Sequence, residues 1–192
     1  IRHAAWIVTR SPIAPTLRQL GGWHDLIVLE HDMVEPEQAL GLLSEALRGC
    51  RAPCLILPPH WSGPATFQRI VIGWNGSAEA TRALHGALPM LQLARHVTVI
   101  DGEIRKPDQD PPGVPRPDPI RYLRHHQVEA ALQYVEASPE TAGPTLLRKA
   151  REARADLLVM GAYSHSRIRE CVLGGATRHI LLYADLPVLM LH

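Results

Sequence analysis

Six short apolar runs in this chain are continuous rather than alternating, and stretches of helical spacing lie between them. The runs cover 25–29, 54–57, 70–72, 97–100, 157–160 and 187–191. A strand buried on both faces has no polar side to alternate with, so each run reads as an interior strand. After Ser77, a residue suited to capping, Ala80, Ala83, Leu84, Ala87, Leu88 and Leu91 form a stripe at helical period. Pro89 falls late in that stretch and is expected to kink or shorten the helix. Beyond Pro139, Leu146, Leu147 and Ala150 mark another helix, ending near Ala155. Strands alternating with helices imply βαβ units and a parallel sheet covered on both faces, an α/β protein.

An internal repeat divides the chain. Pro15-Thr16-Leu17 matches Pro144-Thr145-Leu146, Asp25-Leu26-Ile27-Val28 matches Asp156-Leu157-Leu158-Val159, and "APCLIL" matches "LPVLML". Residues 68–192 read as one complete unit, 1–59 as the second half of another, and 60–67, within "PPHWSGPATF", as the linker. The segment 101–119, rich in proline and poor in apolar residues, is expected to be a long mobile loop.

Composition removes several function classes. A hydrophobic fraction of 46% with 20% charged residues is that of a globular protein. A formal net charge of +1 argues against an electrostatic grip on nucleic acid or on an anionic membrane. Trp6, Trp23, Trp61 and Trp74 are scattered and offer single-stranded nucleic acid no stacking platform. No apolar stretch approaches the roughly 20 residues of a membrane span, and the expected compartment is the cytoplasm. Cys50, Cys54 and Cys171 are too few and too irregular for a disulfide framework or a zinc knuckle, and read as incidental thiols.

The stretch "DLLVMGAYSHSRIRECVLGGATRHIL" carries the chemistry. In an open parallel sheet, ligands bind beyond the carboxyl ends of the strands, where strand order reverses. Gly161 follows the run 157–160 at that end, and Gly174-Gly175-Ala176-Thr177 opens the next helix. Glycines let backbone amides approach an anion, and a helix N-terminus adds positive potential. The two clusters read as a phosphate cradle in two pieces, the first running from Gly161 to Ser164. Packing and turn geometry explain the same glycines without any ligand. Arg167 and Arg169 lie two apart and cannot share one helix face. His165 and His179 have no carboxylate or thiol at ligand spacing, and Ser164-His165-Ser166 has no orienting acid. No metal site and no catalytic residue is expected.

The unit 68–192 resembles the universal stress protein family, tandem-domain bacterial type. ATP-binding members carry Gly-x-x-Gly, nine residues, then Gly-Ser/Thr, and here Gly161-Ala-Tyr-Ser164 is followed by nine residues (165–173) and Gly174-Gly175. "GWNGSAEATRALHGALPMLQLA" is similar to the family's first strand and helix. The resemblance implies a doubly wound, Rossmann-like parallel sheet of five strands in the order 3-2-1-4-5, preceded by a partial copy. It implies ATP or another adenine nucleotide as ligand, with or without magnesium, held by Asn75, Gly161, Ser164, His165, Ser166, Gly174, Gly175, Ala176 and Thr177. Three positions depart from the pattern: Ser164 replaces the second glycine, Gly175 replaces a hydroxyl residue, and Asn75 stands where many relatives place aspartate.

The resemblance also implies a homodimer or internal pseudo-dimer through the last strands, for which 54–57 and 188–191 are the candidates. In the partial unit, Glu30 and Asp32 follow the strand where a cradle would need glycine, so no nucleotide is expected there. Residues 1–59 are expected to supply only the third, fourth and fifth strands, leaving the centre of that unit unfilled without a further segment, a partner or a supporting neighbour. The leading expectation is a stress-responsive adenine-nucleotide sensor with at most slow ATP hydrolysis. Its rival is a scaffold that has lost nucleotide binding and acts through its sheet edge.

Overall fold

The computed structural model describes residues 4–30, 36–102, 114–138, 140–162 and 174–192. In chain order the elements are α1 (Ile13–Leu20), β1 (Ile27–Glu30), α2 (Pro36–Gly49), β2 (Cys54–Leu57), β3 (Arg69–Trp74), α3 (Ala78–Leu91) and β4 (His96–Asp101). Then come α4 (Pro119–His125), β5 (Ala130–Tyr134), α5 (Ala142–Glu152), β6 (Leu157–Gly161), α6 (Gly175–Tyr183) and β7 (Val188–Leu191). The strands form one seven-stranded sheet in the order β1-β2-β7-β6-β3-β4-β5. Within it, β3 to β7 are mutually parallel and stand in the order 3-2-1-4-5 when numbered along the complete unit. The pair β1–β2 is parallel, and β2 joins β7 antiparallel with Leu55 opposite Leu189.

Five of the six continuous runs are largely buried because helices cover both faces. The run 25–29, expected to be an interior strand, instead forms the edge strand β1, whose residues are exposed or half-buried. Ile70, Ile72, Val97, Val99, Leu157 and Val159 pack with Leu84 and Ala87 of α3 and Leu123 of α4. Val71, Leu158, Met160 and Met190 face Leu147 of α5, Ile180 of α6 and Leu43 and Leu47 of α2. Ser77 caps α3, its Oγ accepting the Ala80 amide at 3.1 Å. Asp118 caps α4, accepting the amides of Ile120 and Arg121. No helix among the described residues is long and apolar enough to cross a membrane.

Four expectations need correction or completion. Pro89 does not shorten α3, which runs on to Leu91. So close to the C-terminus its missing N–H removes a single helical bond. Strand β5 carries little apolar signal because four of its five residues are exposed at the sheet edge. The pair His125-His126 reads from the sequence as the end of a short helix pointing to solvent. It does close α4, but only His125 is exposed, for Tyr122 lies against the His126 ring with centroids 4.6 Å apart. Among its described residues the partial unit, finally, supplies no third strand. Residues 4–10 have no regular structure, and Trp6 and Val8 are 97% and 95% exposed. In the order 3-2-1-4-5 a third strand pairs only with the second, which that unit lacks. Of the loop 101–119, residues 103–113 lie outside the described residues.

The repeat is kept in three dimensions. Ile27 stands opposite Cys54 as Leu158 stands opposite Val188, and both amides reach back to a proline carbonyl, Pro53 at 2.9 Å and Pro187 at 3.0 Å. The equivalence breaks at one flank. Val159 on β6 is fully buried, with β3 beyond it, whereas its counterpart Val28 on β1 is 54% exposed. Complete burial of such a side chain contributes about 1.5 kcal/mol or more, so β1 lacks much of what stabilises β6.

Candidate functional site

Strand order reverses between β3 and β6. The chain leaves β3 through α3 toward β4 and returns from β5 through α5 to β6, on the other face. The carboxyl ends of these two strands lie side by side, with Gly73 opposite Met160. Asn75, just beyond β3, and Gly161, the last residue of β6, are therefore brought to one edge of the sheet. Because α6 runs from the end of β6 back to the start of β7, its N-terminus opens at that same edge.

The Asn75 loop is built as a tight turn. Its Oδ1 accepts the Ser77 amide at 3.2 Å, and Gly76 takes the left-handed φ of 73°, which a side chain would oppose. The turn delivers Ser77 to its capping position on α3. Gly102, following β4, donates its amide to the Trp74 carbonyl at 2.9 Å and closes the loop over the end of β3.

The two glycines of the expected cradle have different surroundings. A Cβ on Gly161 would lie 2.5 Å from the Ala80 nitrogen and 2.6 Å from the Glu79 carbonyl carbon, so the first turn of α3 fills that side. Gly161 is glycine because α3 docks there. A Cβ on Gly174, by contrast, would meet nothing within 4 Å among the described residues. Gly174 precedes α6 with φ −56° and ψ 141° and makes no side-chain cap. The first helical bond runs from Arg178 to the Gly174 carbonyl, so the amides of Gly175 and Ala176 precede the helical bonding. Thr177 is buried, 3% exposed. Ser164, His165 and Ser166 lie outside the described residues, as do Arg167, Arg169 and Cys171.

His179 has a packing role. A Cβ on Gly143 of α5 would come within 2.7 Å of its Cβ, and its ring lies 4.7 Å from that of Tyr183. Burial, then the Arg151 charge, lowers its pKa below the ordinary imidazole value. Among the described residues no group of three or more His, Cys, Asp or Glu is placed to hold a metal.

Asp101 belongs to none of the motifs above. It ends β4 at the same edge, 6% exposed, beside Trp74 in the sheet register. Its signal was an acid closing an apolar run, "VTVID". A carboxylate there accepts hydrogen bonds from hydroxyl or amino groups and disfavours a phosphate close by. An open depression of about 570 Å³, lined by Pro58, Pro59, His60, Trp61 and Asp185 among others, lies at the β2–β7 junction and includes none of the expected site residues.

The sequence model of the universal stress protein family matches residues 66–192. The chain is 26% identical over 181 residues to the universal stress protein Slr1230 of Synechocystis, covering 90% of this chain and 60% of that protein. A universal stress protein structure from Archaeoglobus fulgidus has the same fold, with a TM-score of 0.67 at 15% identity, over 93% of this chain and 64% of that one. This chain thus spans under two thirds of the length of either relative. The matched region contains the whole five-stranded unit, its strand order and both glycine clusters, and on that ground the chain belongs to the universal stress protein family.

Proposed function

We propose that this chain binds an adenine nucleotide, ATP, ADP or AMP, at the carboxyl edge of β3 and β6, and acts in the cytoplasm as a stress-responsive sensor. The observation that supports this most is the start of α6. Its glycine-led first turn presents the Gly175 and Ala176 amides near the point of strand reversal, with no described residue crowding Gly174. Such a turn suits phosphate oxygens, through aligned N–H groups and the positive helix end. Asn75, Gly161, Ser164, His165, Ser166, Gly174, Gly175, Ala176 and Thr177 are the residues proposed to line the ligand, within a domain running from 68 to 192 and joined by the linker 60–67 to the partial unit 1–59. The α6 half of the cradle supports a phosphate-bearing ligand through its helix N-terminus. Gly161 itself offers only its backbone, since α3 occupies its Cβ side.

Calorimetric titration of the chain with ATP, ADP and AMP, with and without magnesium, tests the reading. The expected result is saturable heat at one site and a rise in Tm. Ligand at about a hundred times Kd stabilises by roughly 2.7 kcal/mol. No heat and no thermal shift at millimolar ligand would overturn it.

A second reading is a scaffold without nucleotide, acting through its sheet edge. It is favoured by Asn75, whose Oδ1 is engaged by the Ser77 amide, and by the buried carboxylate of Asp101 at the same edge. Under it the titrations are silent while the fold is intact.

A further inference from the structure

Asp156 and Asp25 hold the same place in the repeat. In the complete unit the Asp156 carboxylate grips the entry of β3. Oδ2 accepts the Gln68 amide at 2.7 Å and Oδ1 accepts the Arg69 amide at 2.9 Å, while the Asp156 amide donates to the Arg69 carbonyl at 2.9 Å. The strand then runs alongside β6 with Ile70 opposite Leu157, Val71 opposite Leu158 and Ile72 opposite Val159. Asp25 stands two residues before Ile27, as Asp156 stands two before Leu158, and β1 and β6 share the same register with their neighbours. Yet among the described residues no strand lies beyond β1, and the exposed Asp25 carboxylate makes no hydrogen bond or ion pair.

We propose that the open edge of β1 seats a parallel β-strand contributed from outside residues 1–192, the opening strand of a universal stress repeat, with Asp25 as its entry clamp. Three features of the occupant follow from the register of β3. Its first two residues offer free amides to Asp25 and so are not proline. The next three are apolar and stand opposite Leu26, Ile27 and Val28, covering the exposed Val28. The sixth is small, because Leu17 of α1 holds the repeat position of Leu146, whose Cδ2 would be 2.7 Å from a Cβ on Gly73. A second copy pairing β1 with β1 about a two-fold axis fits less well. That antiparallel arrangement brings the Glu30 end of one strand toward Asp25 of the other, carboxylate against carboxylate, and gives neither aspartate a strand entry to hold.

The probe is a synthetic peptide with the sequence of residues 67–75, FQRIVIGWN, carrying terminal lysines for solubility. Hydrogen exchange of the whole chain is followed by mass spectrometry with and without it. The expected result is at least tenfold slower exchange across Ile27–Glu30, with at least tenfold weaker peptide binding for Asp25→Ala. The same loss is expected for a peptide N-methylated at the two leading amides. Asp25 is exposed, so Asp25→Ala leaves the fold intact, and the N-methylated peptide tests the clamp on unaltered protein. Absence of protection overturns the proposal, as does protection indifferent to both changes. Self-association of the chain that protects β1 and that the peptide does not disturb overturns it in favour of the second copy.

Discussion

Gly161 and Ala80 approach so closely that a Cβ on the glycine would lie 2.5 Å from the Ala80 backbone nitrogen. The strand whose end borders the candidate site is thus locked to the helix that leaves β3. The contact is backbone to backbone, with no flexible side chain to give way. Gly161→Ala is expected to destabilise the fold by about 1–3 kcal/mol, the usual range for overpacking. Urea unfolding without ligand measures this, and an unchanged midpoint would show that α3 has room to move.

Gly174 makes the opposite case. With negative φ and no described residue near the position of a Cβ, Gly174→Ala is expected to leave stability within about 0.5 kcal/mol of the parent. If phosphate oxygens occupy that space, the same variant binds ATP more weakly. Unfolding and calorimetry on one sample separate the two effects, and a variant that binds as tightly as the parent places the phosphates elsewhere.

Cys54 is held inert. Burial, with the Cys50 thiol alongside, pushes the Cys54 thiol up to about 12 from 9.0. Since the thiolate is the nucleophile, native Cys54 is expected to react with a disulfide reagent at pH 8 at least about a hundredfold more slowly than in urea. A Cys171→Ser background with peptide mapping isolates the site. The raised pKa also carries a sign. The native thiol keeps its proton where the unfolded one loses it, so this stabilisation is present below pH 9.0 and lost as pH rises toward 12.

His179 gives the acid-side counterpart. Its native pKa is lowered from 6.5, first by burial and then by Arg151, so the unfolded chain takes up the proton first. Its contribution to stability is present above pH 6.5 and is lost as pH falls through the depressed native value. His179→Gln keeps the Cβ that packs on Gly143 and is expected to flatten the slope of stability against pH below 6.5. Equal slopes for parent and variant would remove His179 as a contributor.

Much of the architecture could be read from the residues because burial on both faces leaves a local trace. Runs such as "LLVM" and "RIVI" announce interior strands, and Ser77 followed by an alanine–leucine stripe announces α3. Strand β5 was missed for the complementary reason. An edge strand with exposed side chains, "AALQY", needs no apolar run, and its pairing with β4 is settled by neighbours far away in sequence. Asp101 was passed over because an acid after a strand is commonplace until its burial is seen.

The amino-acid order by itself settled that the chain alternates strands and helices, that it holds a repeat, and that a glycine-led helix follows the strand ending at Gly161. Periodicity and turn chemistry act over a few residues, so they are written where they act. What a glycine is for, and whether an aspartate has a strand to hold, depend on which distant segment arrives beside them. Only the folded structure showed that α3 fills the space at Gly161, and that Asp156 clamps β3 while Asp25 faces an open edge.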